Sequence, residues 1–327
     1  MTYYLIRRIL NYIVLLFIAI TLAYIMASSF LRPEELFANR QPPMPPDQLR
    51  AYLEGYNISS QTPVMERYWT WLTNVVMHWD WGYSPQGDSV NGEMGRRAWV
   101  SLRLVTIGAF VGMVGGVAIG AWTATKQYSF ADRTISIISL ILISTPSIVL
   151  AITLQIMAVN FNRATGTEFF EFIGEYGQHG DYFGAAFFDR LQHLLLPTIS
   201  MSAMGLASYS RYQRNLMLDT LGADYVRTAR AKGLIKRKAV TRHALRTSLI
   251  PMGTYFAFAV TGLMLGAAIT ESVFGWHGMG IYGVETIQKM DINGTVAVVA
   301  FSGACTLAGA FLSDVLVAVI DPRVRVS

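Results

Sequence analysis

The chain has 327 residues, of which 53% are hydrophobic and only 14% charged, with a net charge of +5 and a mean hydropathy of +0.37. A soluble domain carries about 25% charged residues, so this chain lacks the charge to solvate its own surface; a soluble domain, a disordered chain and a nucleic-acid-binding protein are excluded. The single cysteine, Cys305, permits neither an internal disulfide nor a cysteine-based metal site.

Crossing a bilayer takes about 20 apolar residues, and six runs of that kind are present. All six are expected to be helices, because lipid offers no partner for open backbone groups. The first, from about Ile9 to Leu31, carries no charge. Arg7 and Arg8 before it and Ala27-Ser28-Ser29 near its end resemble a signal peptide. The run is longer than the usual signal core of about 7–15 residues, which favours an uncleaved anchor. Residues 32–103 form a long polar connection. It opens on Gln41-Pro42-Pro43-Met44-Pro45-Pro46, which favours extended backbone. Tyr68-Trp69-Thr70-Trp71 and Trp79-Asp80-Trp81-Gly82 follow, read as interfacial or folded surface.

The second run, 104–125, repeats glycine every four residues at Gly108, Gly112, Gly116 and Gly120. That spacing lines one helical face and lets another backbone approach closely. The seam reads as tight packing, or as packing that slides during transport. The third run, 134–159, holds Ser144-Thr145-Pro146 at its middle, where proline predicts a kink that exposes carbonyls. That kink is open to two readings, purely structural or pathway-lining. An acidic and aromatic connection spans 160–190. The fourth run, 191–210, is the weakest and contains Pro197. The fifth, 249–270, has Pro251 near its start, a tolerated place for proline. The sixth, 295–320, carries only Asp314, read as a helix-end residue.

Lys and Arg set orientation. Six spans put both termini on one side, and 16 of the 26 Lys and Arg residues fall there, ten of them between Arg211 and Arg246. That side carries +11 and is expected to be cytoplasmic; the other carries −6. The chain then divides into an N-terminal helix at 1–31, an outer segment at 32–103, a five-helix core at 104–320 with a cytoplasmic loop at 211–248, and a tail at 321–327.

Several chemistries are missing from the sequence. There is no Gly-x-x-x-x-Gly-Lys-Ser/Thr loop to cradle ATP phosphates, no His-Glu-x-x-His and no Gly-x-Ser-x-Gly. His78, His179, His193, His243 and His277 are scattered and form no histidine pair at helical spacing, so they read as surface or packing residues. The spans are almost bare of charge, whereas proton- and sodium-coupled carriers keep ionisable groups at mid-membrane. A secondary transporter or channel is the rival reading, and this bareness weakens it.

Gly222-Ala223-Asp224-Tyr225-Val226-Arg227-Thr228-Ala229-Arg230-Ala231-Lys232-Gly233-Leu234 is the most informative stretch. Small residues (Thr228, Ala229, Ala231) alternate with basic ones, and Gly233 suits a helix stop. It reads as a short helix able to sit in a groove of another protein, or as a basic loop that fixes topology or attracts anionic lipid. Composition alone leaves both open.

Residues 224–234 resemble the coupling-loop motif of ABC importer permeases in the oligopeptide/dipeptide/nickel group. The general motif begins Glu-Ala-Ala; Arg227-Thr228-Ala229 stands there, a variant similar to the peptide group, with Gly233 at the motif's glycine. The general Ile-x-Leu-Pro is replaced by His243-Ala244-Leu245-Arg246, again like the peptide group. Leu5-Ile6-Arg7-Arg8, Trp79-Asp80-Trp81-Gly82-Tyr83-Ser84, Ser144-Thr145-Pro146, Glu271-Ser272-Val273-Phe274-Gly275-Trp276-His277-Gly278-Met279-Gly280 and Asp321-Pro322-Arg323 resemble further family motifs in order. The long first outer segment is similar to the B-type subunit, and the 160–190 insert resembles actinobacterial members.

The resemblance implies an all-α type I importer permease fold with six transmembrane helices and a non-catalytic subunit without a cofactor. It implies ATP and Mg on two cytoplasmic ATPase partners, a second homologous permease, an extracytoplasmic binding protein and a peptide substrate moved by alternating access. ATPase contact is implied for Gly222, Ala223, Asp224, Tyr225, Arg227, Thr228, Ala229, Ala231, Lys232, Gly233 and Leu234. An outer gate turn, or a rigid re-entrant turn, is implied for Glu271, Phe274, Gly275, Gly278 and Gly280.

Overall fold

The computed structural model describes residues 2–38, 44–177 and 184–320; for residues 2–5, 254, 257–266, 319 and 320 it describes the backbone alone. Gln41, Pro42, Pro43, His179 and the Asp321-Pro322-Arg323 motif lie outside the described residues. The described helices are α1 (Thr2–Phe30), α2 (Pro46–Gly55), α3 (Val64–His78), α4 (Val90–Thr125), α5 (Phe130–Ser144), α6 (Ser147–Thr165), α7 (Ala185–Leu221), α8 (Asp224–Ala231), α9 (Lys236–Ala239), α10 (Leu245–Phe274), α11 (Met279–Gln288) and α12 (Ile292–Ile320). Among the described residues there is no strand, only an isolated bridge between Tyr83 and Ser89. The chain forms two units. The basic unit holds residues 103–276 and those from 308 on, and the aromatic unit holds residues 2–102 and 277–307.

In the aromatic unit, the segment after α1 folds on a buried cluster. Tyr24, Leu53, Ile58, Tyr68, Trp71, Trp81 and Val90 pack there with Ile292 and Val296. Trp71 lies against the Tyr24 ring at 4.8 Å and donates its indole N–H to the Trp81 carbonyl at 3.3 Å. The reading of these tryptophans as surface is therefore half corrected. Trp69 and Trp79 are exposed, while Trp71 and Trp81 are core. Tryptophan is large enough to organise a small core and needs a partner only for its one N–H. Pro46 begins α2 and Pro45 precedes it with extended dihedrals, as a proline at the first helical turn permits.

The basic unit is arranged around α7, which packs on α5, α6 and α10. Among the described residues, four helices are apolar and long enough to cross a membrane by length and composition: Ile6–Phe30, Val90–Thr125, Ser147–Thr165 and Ile292–Ala318. The weak fourth run has a physical explanation in the surroundings of α7. This helix buries Ser200, Ser202, Tyr209, Ser210 and Gln213 against its neighbours, so its exterior needs less apolar surface. It also extends well past the run at 191–210, because no proline or glycine stands between Ser210 and Gly222.

Two proline expectations need correction. Ser144-Thr145-Pro146 does not kink one helix but separates α5 from α6. Thr145 and Pro146 are both extended, since a residue before proline is pushed out of the helical region. Pro251 is not near a helix start. It lies inside α10, which begins at Leu245 and follows a π-helical turn over Val240–Ala244.

Candidate functional site

The short helix α8 shows how the informative stretch is held. Ala223 is its extended N-cap, and Asp224 places a negative charge in the first turn, where the helix dipole favours it. The stop is built at Gly233, whose φ is +91°. The Gly233 N–H donates to the Arg230 carbonyl at 3.0 Å, and the Leu234 N–H reaches back to the Ala229 carbonyl at 3.2 Å. This pair of bonds is the Schellman arrangement, and it uses a glycine because a side chain is strained at that dihedral.

Val226 fixes the orientation of α8. It is buried with Ala124, Met217, Ala239 and Ala244, and Leu234 packs at the edge of the same cluster. One face is thereby consumed. The face left over presents Asp224, Tyr225, Arg227, Thr228, Ala231, Lys232 and Gly233, all exposed, with Ala229 half-buried. Gly222 is exposed and Ala223 half-buried at the entry. Leu234 thus serves as an anchor as well as a member of the segment. Sequence reasoning left out Arg230 and Ile235, both exposed beside that face. Their alternation with buried Val226 was the signal that could have found them.

Polar ties join the helices that lead into this segment. Arg214 on α7 makes a two-pronged contact to Asp132 at the start of α5, at 2.6 and 2.9 Å. This guanidinium holds the Asp132 carboxyl below the usual carboxylate range, helped by the Tyr128 N–H. Ser129 caps α5 by accepting from the Asp132 N–H. Buried Gln213 donates to Ser248 at 2.7 Å, tying α7 to α10. None of these four residues stood out in the sequence, because their partners are 35 or 82 positions away. Beside α9, a groove of about 540 Å³ has an apolar floor that includes Ala121, Trp122 and Met217, and a rim with Lys126, Lys236 and Arg237.

The glycine face of α4 meets α7 at backbone contact. A Cβ at Gly112 would lie 3.4 Å from the Gly205 Cα, and one at Gly116 would fall 2.6 Å from the Tyr209 Cβ. At Gly120 it would collide with the Ser210 carbonyl oxygen, while Gly108 faces the Met201 side chain at 3.2 Å. The seam is therefore a close helix–helix packing. At the α5–α6 break, Ser144 and Pro146 are exposed, and the Thr145 hydroxyl donates to the Ile141 carbonyl.

The predicted outer turn is divided between the units. In the basic unit Glu271 and Phe274 are fully buried, and Gly275 ends α10 at φ +67°. The Gly174 N–H donates to the Phe274 carbonyl at 2.8 Å, and the Gln155 amide donates to the Val273 carbonyl at 2.8 Å. These bonds pin the end of α10. In the aromatic unit, buried Gly278 is the extended N-cap of α11 and Gly280 lies in its first turn. The Met279 N–H there donates to the Ser101 hydroxyl at 2.7 Å. Of the histidines, His78 and His277 are exposed, His243 is half-buried and His193 is buried.

Residues 116–326 match the family model described as binding-protein-dependent transport system inner membrane component. The oligopeptide transport system permease protein OppB of Mycobacterium tuberculosis is 45% identical, covering 100% of both chains. The oligopeptide transport system permease protein AppB of Bacillus subtilis is 29% identical, covering 99% of this chain and 100% of its own. Among solved structures, a chain of the MetNI methionine ABC transporter in inward-facing conformations has a TM-score of 0.51 at 19% identity, covering 70% of this chain and 96% of that one. That likeness establishes the type I importer permease fold and nothing about cargo.

Proposed function

The chain belongs to the binding-protein-dependent transport system inner membrane component family, and from that premise we propose that it passes oligopeptides across the membrane as the B-type permease of an ATP-driven importer. It is a multi-pass, membrane-spanning subunit of an ABC transporter, not the ATP-hydrolysing one. It works beside a second, similar permease, two ATPases that bind ATP and Mg, and an external protein that delivers the peptide. The basic segment and both termini face the cytoplasm, where 16 of the 26 Lys and Arg residues are grouped.

The observation that carries the reading is the half-anchored helix α8. Val226 sinks into the permease, while a surface of small and basic side chains is left free. A groove on an ATPase receives that surface. ATP-driven closure pushes α8 as a rigid lever, since its cap and its buried valine keep it from fraying. The push passes along α7 through the Asp132–Arg214 and Gln213–Ser248 ties to α5 and α10. The cavity opens outward, receives peptide, and hydrolysis resets it. The glycine seam of α4 and the α5–α6 break at Ser144, Thr145 and Pro146 are the places where packed helices shift. Glu271, Phe274, Gly275, Gly278 and Gly280 form the outer turns that stay fixed while they do so.

Ala229→Glu tests this. The position is half-buried on the docking side, so the longer acidic side chain blocks the groove without touching Val226. In the complex reconstituted into vesicles, peptide uptake falls at least about tenfold, the equivalent of about 1.4 kcal/mol of docking energy. Binding-protein stimulation of ATP hydrolysis is lost with it. Uptake at the normal rate by a fully assembled Ala229→Glu complex would refute the assignment.

A further inference from the structure

We propose that Glu171, Asp189 and His193 form a binding site for one zinc-class divalent cation, which fastens the 160–190 insert to the first turns of α7. Asp189 and His193 are four residues apart on α7 and so share one helical face. Both are buried, and Glu171 comes to them from the insert. The donor atoms of the three side chains lie within 4.8 Å of one another.

The hydrogen bonding at His193 decides which atom faces the ion. Its Nδ1 lies 2.9 Å from the Asp189 backbone carbonyl oxygen, which can only accept, so Nδ1 carries the proton. Nε2 then presents its lone pair toward the Glu171 carboxylate oxygen, 3.6 Å away. Two electron-rich atoms facing each other at this distance leave a place that suits a cation. A doubly protonated ring would draw its carboxylates to about 2.7–2.9 Å, and the observed spacings are 3.6 and 3.5 Å. Two ligands bonded to zinc at about 2.0 Å in a tetrahedral site sit about 3.3 Å apart, which is close to the 3.6 Å between Nε2 and the Glu171 oxygen. A ligating histidine that gives its other N–H to a backbone carbonyl is the common outer-shell pattern.

The surroundings agree. Among the described residues, neither carboxylate pairs with a lysine or arginine, so two negative charges lie together without a cation of the chain. The Gly177 N–H donates to both Asp189 carboxylate oxygens at 3.1 Å and orients that group. A Cβ at Gly177 would stand 3.0 Å from the Glu171 oxygen, so this residue closes one side of the cluster with backbone alone. Glu171 is a third exposed, which leaves an entry route. Nitrogen plus carboxylate donors suit zinc rather than magnesium or calcium, which prefer all-oxygen sites.

The experiment uses the full chain, purified in detergent on a histidine-free tag, stripped with chelator and titrated with zinc alone. The result expected is about one zinc retained per chain after gel filtration, unaffected by millimolar magnesium. His193→Gln and Glu171→Gln weaken binding at least about tenfold, while His277→Gln does not. Zinc also slows proteolysis within residues 160–190 of the wild type and not of Glu171→Gln. Because Glu171 is partly exposed, its variant folds even if the buried histidine cannot be replaced. Wild-type protein that retains no zinc, or Glu171→Gln and His193→Gln proteins that retain it as tightly as wild type, would overturn the site.

Discussion

Helix α3 and helix α8 bury themselves in opposite ways. Over fifteen residues α3 buries Arg67, Tyr68 and Trp71; the Arg67 guanidinium donates through Nε to the Thr62 carbonyl and through Nη2 to the Ser28 carbonyl rather than to an acid, while its buried Nη1 has no partner among the described residues. Over eight residues α8 buries only Val226 and leaves its charged side chains in the open. The first is a core helix whose aromatic side chains define a local fold. The second is an arm held by one side chain and a glycine cap. A surface kept for a partner has to be exposed in the isolated chain, so weak self-burial is what a docking helix shows. On the proposed docking role of α8, stability and docking fall to different residues.

Substitutions can break that contrast. The largest effect belongs to Trp71→Ala, which empties the center of the aromatic cluster and costs about 3–5 kcal/mol. Thermal unfolding of the purified chain measures it, and a change below about 1 kcal/mol would mean the cluster is not a core.

A pH dependence follows from Asp291, which caps α12 by accepting from the Gly294 N–H at 2.9 Å. Burial pushes its carboxyl up to about 7. The unfolded value is about 3.9, so the folded state holds the proton more tightly. The stabilising contribution is complete below about pH 4 and is lost as pH rises through about 7. Melting of the aromatic unit should therefore fall between pH 5 and pH 8. Asp291→Asn keeps a capping side chain and should flatten that slope; an unchanged slope assigns the pH dependence elsewhere.

Val226→Ala is smaller, about 1–2 kcal/mol and confined to α8. Hydrogen exchange should show faster opening over residues 224–234 with the other helices unaffected. Tyr225→Ala on the same helix should leave stability within about 0.5 kcal/mol and still reduce uptake. If the two variants trade these outcomes, the buried and docking faces of α8 have been assigned the wrong way round.

Much of this was legible in the sequence because the causes are local. The apolar runs gave the membrane class, and proline at 146 marked a break, although the chain uses it to separate helices and not to bend one. Gly233 announced the end of α8, since a left-handed residue after a helix is a one-residue requirement. The four-residue glycine spacing announced a close packing face, now seen against Gly205, Tyr209 and Ser210. What sequence left open at α8 was which side faces inward, and this turned on Val226 meeting Met217 and Ala239.

The sequence by itself determined the class, the apolar runs, the stop at Gly233 and the family, because each rests on composition or on residues within a turn or two of one another. Tertiary structure decided which tryptophans are core, why α7 can be polar and yet central, and how α7 is tied to α5 and α10. It also brought Glu171 to the Asp189–His193 pair. A search for paired histidines passes over an aspartate and a histidine four apart, and no spacing rule reaches across the insert to Glu171. Pairings across long stretches of chain depend on how whole helices pack, and packing is settled by the sum of many weak contacts, not by any one motif.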